Sequence, residues 1–294
     1  GETEFDNLSR KPFIKGPLSI RASRCLQPFS RRRRTMADLG GKVALVTGGA
    51  AGLGSAIGAA LLAEGCKVAL LDIDEKQGTK TEAKFQQKHG KESCVFYKCD
   101  VTNEGQLEDC FKNTRSKFGA LDILVNNAGI FSEDNWRKMF AINIESVYSG
   151  ILLGFKYMGK DKGYNGGHII NTASIVGIYV APAAPAYNTS KCAVVAMTRA
   201  FGSKLYFDRH GVKVNCLCPD PIDTSMWAQI TDHLSSDKGT LAALNVYSQR
   251  VQQPEDVARG VIKLLEDGQN GAALVSMSAD GLRYYNFQEP TPEV

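Results

Sequence analysis

Tyr187 and Lys191 stand four residues apart at the head of Tyr187–Phe207, a stretch whose apolar residues recur with helical spacing. On a helix their side chains leave the same face, one turn apart. A free tyrosine titrates at about 10, too high for a base near neutrality. A lysine ammonium beside the ring, together with the positive charge of an oxidised hydride acceptor, favours the phenolate and predicts a midpoint below that value. Ser174, thirteen residues before Tyr187, brings a hydroxyl that can donate to a substrate oxygen as charge develops there. Base, cation and donor together suit a secondary alcohol that loses its hydroxyl proton while its carbon loses hydride. Taken singly, Tyr187 reads as a helix-face aromatic, Lys191 as a solvated charge and Ser174 as a loop residue. Their joint spacing favours the chemical reading.

Hydride needs an acceptor, and the start of the chain offers a place for one. The apolar run Lys42–Val46 leads into Thr47-Gly48-Gly49-Ala50-Ala51-Gly52-Leu53-Gly54, and a helix-forming stretch follows. Such a turn lets Gly48, Gly52, Leu53 and Gly54 bring backbone close to a dinucleotide pyrophosphate at a helix N-terminus. The plain alternative is a strand–turn–helix with spare glycines. Asp72 closes the next apolar run, about twenty residues on. An acid there accepts hydrogen bonds from ribose hydroxyls and repels the extra phosphate of NADP. No Lys or Arg in the turn offsets it, so the expected cofactor is NAD.

These residues need a frame. Short β-branched runs occur at 43–47, 67–72, 94–98, 123–126, 168–172, 212–217 and 273–278. Helical spacing occupies 52–64, 74–89, 103–118, 136–158, 187–207 and 254–267. Strand–helix alternation with apolar strands predicts an α/β fold, a single-domain Rossmann-type doubly wound parallel sheet. The domain is expected over 41–294, after a leader at 1–40 without apolar periodicity. Met36 reads as a start site.

The 294 residues are 43% hydrophobic and 22% charged, and no apolar run is long enough to span a bilayer. The net charge of +4 is misleading, because residues 1–35 carry nine Lys/Arg against three Asp/Glu. The domain thus has no basic surplus with which to hold nucleic acid. A role in RNA binding would rest on Arg31–Arg34 alone. The eight cysteines contain no C-x-x-C pair and read as reduced thiols, not metal ligands. A cytoplasmic location is expected, with mitochondrial import through the basic leader as the alternative.

Four clusters then follow in order: Asn126-Asn127-Ala128-Gly129, Asn143, Ser174, and Tyr187-Asn188-Thr189-Ser190-Lys191. With the glycine turn they make the chain resemble the short-chain dehydrogenase/reductase family over about 41–278. The resemblance implies that Ser174, Tyr187 and Lys191 are catalytic, with Lys191 also on the nicotinamide ribose. It implies that Asn143 anchors a proton-relay water and that Asp100 and Val101 border the adenine. Asn126, Ala128 and Gly129 would support the cofactor end of the strands, and Pro219, Ile222 and Thr224 would meet the nicotinamide. Asp220 departs from the family's Gly after Pro219 and puts the loop geometry there in question.

Gly154–Lys160 and Gly166–Asn171 are similar to NAD-dependent 15-hydroxyprostaglandin dehydrogenases. Those enzymes carry a Gln three residues before the tyrosine, where this chain has Ala184, which cannot hydrogen-bond a polar substrate group. The segment 224–249, with Met226, Trp227, Ile230, Leu234, Leu241, Leu244 and Tyr247, reads as a lid over a lipophilic alcohol or ketone. It reads equally as small helices packed on their own domain. The resemblance also implies a homodimer or homotetramer through 136–158 and 187–207. Two other functions stay open: an NADPH-dependent carbonyl reductase, and a catalytically weak NAD-binding regulatory protein.

Overall fold

The apolar runs pair into one eight-stranded sheet. β1 (Val43–Thr47), β2 (Lys67–Asp72), β3 (Cys94–Lys98), β4 (Ile123–Asn126), β5 (Gly167–Thr172), β6 (Val212–Pro219) and β7 (Ala273–Met277) are parallel; β8 (Gly281–Tyr284) returns antiparallel on β7. The spatial order is β3-β2-β1-β4-β5-β6-β7-β8. The computed structural model describes residues 39–236, 240, 245 and 248–288. The expected leader lies outside them except for Leu39 and Gly40, as do Leu241, Leu244 and Tyr247. Leu39 is buried, and its carbonyl accepts the Cys66 thiol at 3.3 Å.

Neighbouring side chains of a strand point to opposite faces, so a sheet buried on both faces needs apolar residues at every position. β1 shows this: Leu45 enters the core beneath one face, and Ala44 and Val46 enter the core on the other. α1 (Gly52–Ala63), α2 (Glu75–His89) and α9 (Pro254–Asp267) cover that second face with Ile57, Leu61, Phe85, Val257 and Leu264. α3 (Glu104–Phe118), α5 (Ser146–Met158) and α6 (Pro185–Phe201) cover the first with Leu107, Phe111, Ile151, Met158 and Val194. Asp74 and Asn103 cap α2 and α3, accepting from Gln77 N–H and Gln106 N–H at 3.0 Å each.

Two expected helices are interrupted. The stretch 136–158 forms α4 (Trp136–Phe140) and α5 with a π turn, Ala141–Glu145, between them. The stretch 187–207 starts earlier, at Pro185, and breaks after Phe201 before α7 (Lys204–His210). At the break another stretch of backbone passes close: a Cβ on Gly202 would lie 2.4 Å from Gly271 Cα. α8 (Ser225–Ser236) falls in the segment read either as a lid or as small helices, and β8 has no counterpart in the sequence reading. β8 is only four residues long and half exposed, too short for a period to show. Among the described residues, no helix is long and apolar enough to cross a membrane.

Candidate active site

The parallel strands deliver their carboxyl ends to one edge of the sheet. β1 has β2 on one side and β4 on the other, so the connecting loops diverge between them. Ligands of open α/β sheets bind in the crevice at such a switch point. A cavity of about 460 Å³ lies here, walled by the loops after β1 to β6 and by α8.

One end of the cavity is made largely of backbone. Gly48 has φ +64°, and a Cβ on it would sit 3.0 Å from Ala128 Cα. A Cβ on Gly54 would lie 2.0 Å from the Gly48 carbonyl oxygen, so the first turn of α1 rests directly on the glycine turn. Ala51 gives α1 no side-chain cap, which leaves the first N–H groups of the helix at the cavity wall. An uncapped helix end on a glycine cradle fits a pyrophosphate. Asp72 holds the turn as well as facing the cavity: it accepts from Ala50 N–H at 3.0 Å and Asp74 N–H at 3.1 Å. Thr81 donates to the Ala50 carbonyl at 2.7 Å. Asp100, Val101, Ala128 and Gly129 line the same wall, with Ile73 exposed beside them.

Asn126 is not in that wall. Strand alternation turns it to the opposite face, where its amide donates to Asn171 Oδ1 at 2.9 Å beneath Gly150. Asn127, not singled out from the sequence, lies in that wall instead. It donates to the carbonyls of Thr47 (3.0 Å) and Gly48 (3.3 Å) and accepts from Thr172 Oγ1 (3.3 Å). Thr47 Oγ1 completes the brace by accepting from the N–H groups of Asn127 and Ala128.

The other end is made of side chains. Ser174 follows β5, and its hydroxyl lies 3.5 Å from the Pro219 carbonyl. Tyr187 and Lys191 project from the first turns of α6. Lys191 Nζ donates to the Thr172 carbonyl at 2.9 Å and lies 5.7 Å from the Tyr187 ring centre. Burial pushes the Tyr187 phenol up to about 12, opposed by a hydrogen bond with Ser174. Burial also pushes Lys191 down to about 8, against a raising influence of Cys218. Those are the directions in the chain alone; a phenol value below 10 is expected with the charge of an oxidised nicotinamide beside the ring. Desolvation disfavours the charged form of each.

Asn143 lies behind this end instead of lining it. Held in the π turn, its side chain accepts from Ile130 N–H and donates to Ile130 carbonyl, both at 2.9 Å, and donates to Ser190 Oγ at 3.2 Å. Sequence reasoning missed Glu133. Ala184 gives α6 no side-chain cap, and Glu133 supplies one from fifty residues upstream, accepting from Ala186 N–H at 3.0 Å and Tyr187 N–H at 2.8 Å. Nothing local in the sequence signals that contact. Phe131 packs edge-on to Tyr187, with ring centres 5.4 Å apart.

Pro219, Ile222 and Thr224 line the cavity, as do Met226, Trp227, Ile230 and Leu234 of α8. The Tyr187 hydroxyl lies 3.9 Å from Met226 Sδ, and His233 Nε2 lies 3.1 Å from the Ala183 carbonyl. No non-glycine among the described residues has positive φ, so Asp220 does not occupy a backbone conformation reserved for glycine. A hydroxyl held between Ser174 and Tyr187 would meet a donor and a proton acceptor in an apolar enclosure.

Comparison with known proteins agrees with this geometry. Residues 42–235 match the family model described as short chain dehydrogenase. The chain is 37% identical to mouse 15-hydroxyprostaglandin dehydrogenase [NAD(+)], covering 84% of this chain and 94% of that one. It is 33% identical to L-2,3-butanediol dehydrogenase of Corynebacterium glutamicum, covering 83% and 99%. Its fold is similar to the crystal structure of levodione reductase, with a TM-score of 0.71 at 27% identity over 82% of this chain and 99% of that one.

Proposed function

Since the chain belongs to the short-chain dehydrogenases, we propose that it oxidises a secondary, lipophilic alcohol with NAD, using Tyr187 as the base. The observation that carries this reading is one cavity with Asp72 and the uncapped end of α1 at one end and Ser174, Tyr187 and Lys191 at the other.

NAD, when bound, supplies the hydride acceptor and a positive charge. Gly48, Gly52, Leu53 and Gly54 would hold its pyrophosphate, and Asp72 has acceptor capacity left for a ribose. Among the described residues lining the cavity, Lys191 is the sole Lys or Arg, and it stands at the far end from Asp72. No cation is thus placed to take a 2′-phosphate, which argues against NADP. At the reacting end, Ser174 donates to the substrate oxygen and Tyr187 takes its proton. Lys191 holds the Thr172 carbonyl and brings positive charge beside the phenol. Asn143 keeps the Ile130 backbone and Ser190 in place behind them. Because the base form is the phenolate and burial raises the phenol, oxidation rises with pH through neutrality.

The lipophilic character rests on Ile130, Phe131, Ile175, Met226, Trp227 and Leu234 in the cavity wall. Ala184 removes a polar contact that the prostaglandin enzymes carry in the family pattern. A homo-oligomer is part of the same reading, because Trp136, Tyr148 and Leu152 stand exposed on α4 and α5. Screening secondary alcohols with NAD and NADP, following the absorbance of the reduced cofactor, tests the proposal. NAD should win by at least about tenfold in kcat/KM, equivalent to about 1.4 kcal/mol. Equal use of NADP, or preference for small polar alcohols alone, would overturn it. Light scattering that finds only monomer at micromolar concentration would overturn the oligomer.

A further inference from the structure

Asp220 is a charged side chain in a place that gives it almost nothing to bind. The residue lines the cavity and is 2% exposed, yet both carboxylate oxygens are buried without a hydrogen-bond donor. Its ion-pair partner, Arg250, brings Nη1 no closer than 3.9 Å, and that side chain is 44% exposed to solvent. The backbone is held firmly: Asp220 N–H donates to the Ser276 carbonyl at 2.9 Å. The preceding residue, Pro219, presents its carbonyl 3.5 Å from the Ser174 hydroxyl. The loop that carries Asp220 therefore borders the reacting end.

A buried carboxylate without donors is unfavourable, and native proteins leave few such groups unexplained. Its oxygens are sealed from the open cavity, so they act through their field and not through a hydrogen bond to a ligand. In a site that excludes water that field is strong. A field distinguishes ligands by charge and not by shape. The two oxidation states of a nicotinamide ring are nearly equal in shape and differ by one positive charge. Resting on the cofactor reading above, we infer that Asp220 is a specificity-determining residue: its negative charge makes the reacting end select oxidised over reduced nicotinamide. The family's glycine at this place supplies no such charge. Burial raises the Asp220 carboxyl above its ordinary range, opposed by the charge of Arg250 at 3.9 Å, and a positively charged ring nearby would further favour the ionised form.

The test is binding, not turnover. NADH is titrated by its fluorescence, and NAD is titrated by competition, for the full chain and for Asp220→Asn and Asp220→Gly. ADP-ribose, which lacks the nicotinamide, serves as the third ligand. The preference for NAD over NADH is expected to fall at least fivefold in both variants, with ADP-ribose affinity unchanged. The melting temperature of the ligand-free Asp220→Asn protein is expected to rise. The glycine variant carries the same comparison if the amide disturbs the loop. An unchanged NAD-to-NADH ratio overturns the inference. So does an equal loss of both ligands, which would make Asp220 only an anchor for the segment that carries Arg250. If the unaltered chain binds neither nicotinamide ligand, the cofactor reading itself falls, and this inference with it.

Discussion

The two ends of the cavity are built from different materials. At the nucleotide end, the glycine turn, the first turn of α1 and the braces from Thr47 and Asn127 present mainly backbone. Polar groups there are tied to one another, as Asp72 is to Ala50 and Asp74. At the reacting end, side chains from β5, α6, α8 and the loop after β6 meet without such closure. Tyr187 and Lys191 are both pushed toward their neutral forms, and the Asp220 oxygens have no donor. The contrast matches the tasks. Holding a nucleotide requires a rigid cradle of fixed N–H groups, whereas moving a proton requires groups whose charge is not already satisfied.

Variants at the two ends should therefore fail differently. The largest effect belongs to Tyr187→Phe, which keeps the ring against Phe131 and removes only the hydroxyl. Loss of a positioned base lowers turnover by about 10²–10⁴-fold, and NAD affinity by titration should stay nearly unchanged. Near-normal turnover in the folded variant would end the assignment of Tyr187 as base. Gly54→Ala is the counterpart at the nucleotide end. Its methyl would meet the Gly48 carbonyl at 2.0 Å, so backbone must move. A stability loss of about 1–3 kcal/mol is expected, together with weaker NAD binding; unaltered melting and unaltered affinity would mean the cradle is looser than described.

Asp72→Ala should narrow the preference for NAD over NADP by about tenfold, or about 1.4 kcal/mol. Because Asp72 also ties down Ala50, NAD affinity should fall with it. An unchanged ratio of the two cofactors would remove Asp72 from the discrimination. The smallest effect is the most diagnostic of how the ends are joined. Glu133→Ala removes the cap of α6 and should lower stability by about 0.5–2 kcal/mol. Turnover should fall while NAD affinity holds, and Glu133→Gln, which keeps an acceptor, should recover much of the turnover. Equal losses in binding and turnover would show that Glu133 supports the whole domain instead of the reacting end.

Much of this architecture was readable in the chain. The seven parallel strands carry apolar residues because both faces are covered, and that pattern survives in any single sequence. The glycine turn and Tyr187–Lys191 were readable because each is a local motif whose geometry follows from a turn or one helical period. The boundaries that failed did so for long-range reasons. α6 ends at Phe201, where the backbone of Gly271 passes so close to Gly202 that no side chain fits. Asn126 braces β4 to β5 beneath the sheet while Asn127, which the sequence did not single out, faces the cavity, because strand alternation aims neighbouring residues to opposite faces.

What the sequence by itself determined is the α/β alternation, the glycine turn after β1 and the placing of Tyr187 and Lys191 one helical turn apart, since each depends on neighbours within a few positions. Only the tertiary structure decided the cap that Glu133 places on Tyr187, the burial that opposes ionisation of Tyr187 and Lys191, and the isolation of Asp220. Those properties depend on how water is excluded by elements far apart in the chain. Desolvation is a property of the assembled enclosure, and no residue carries it alone.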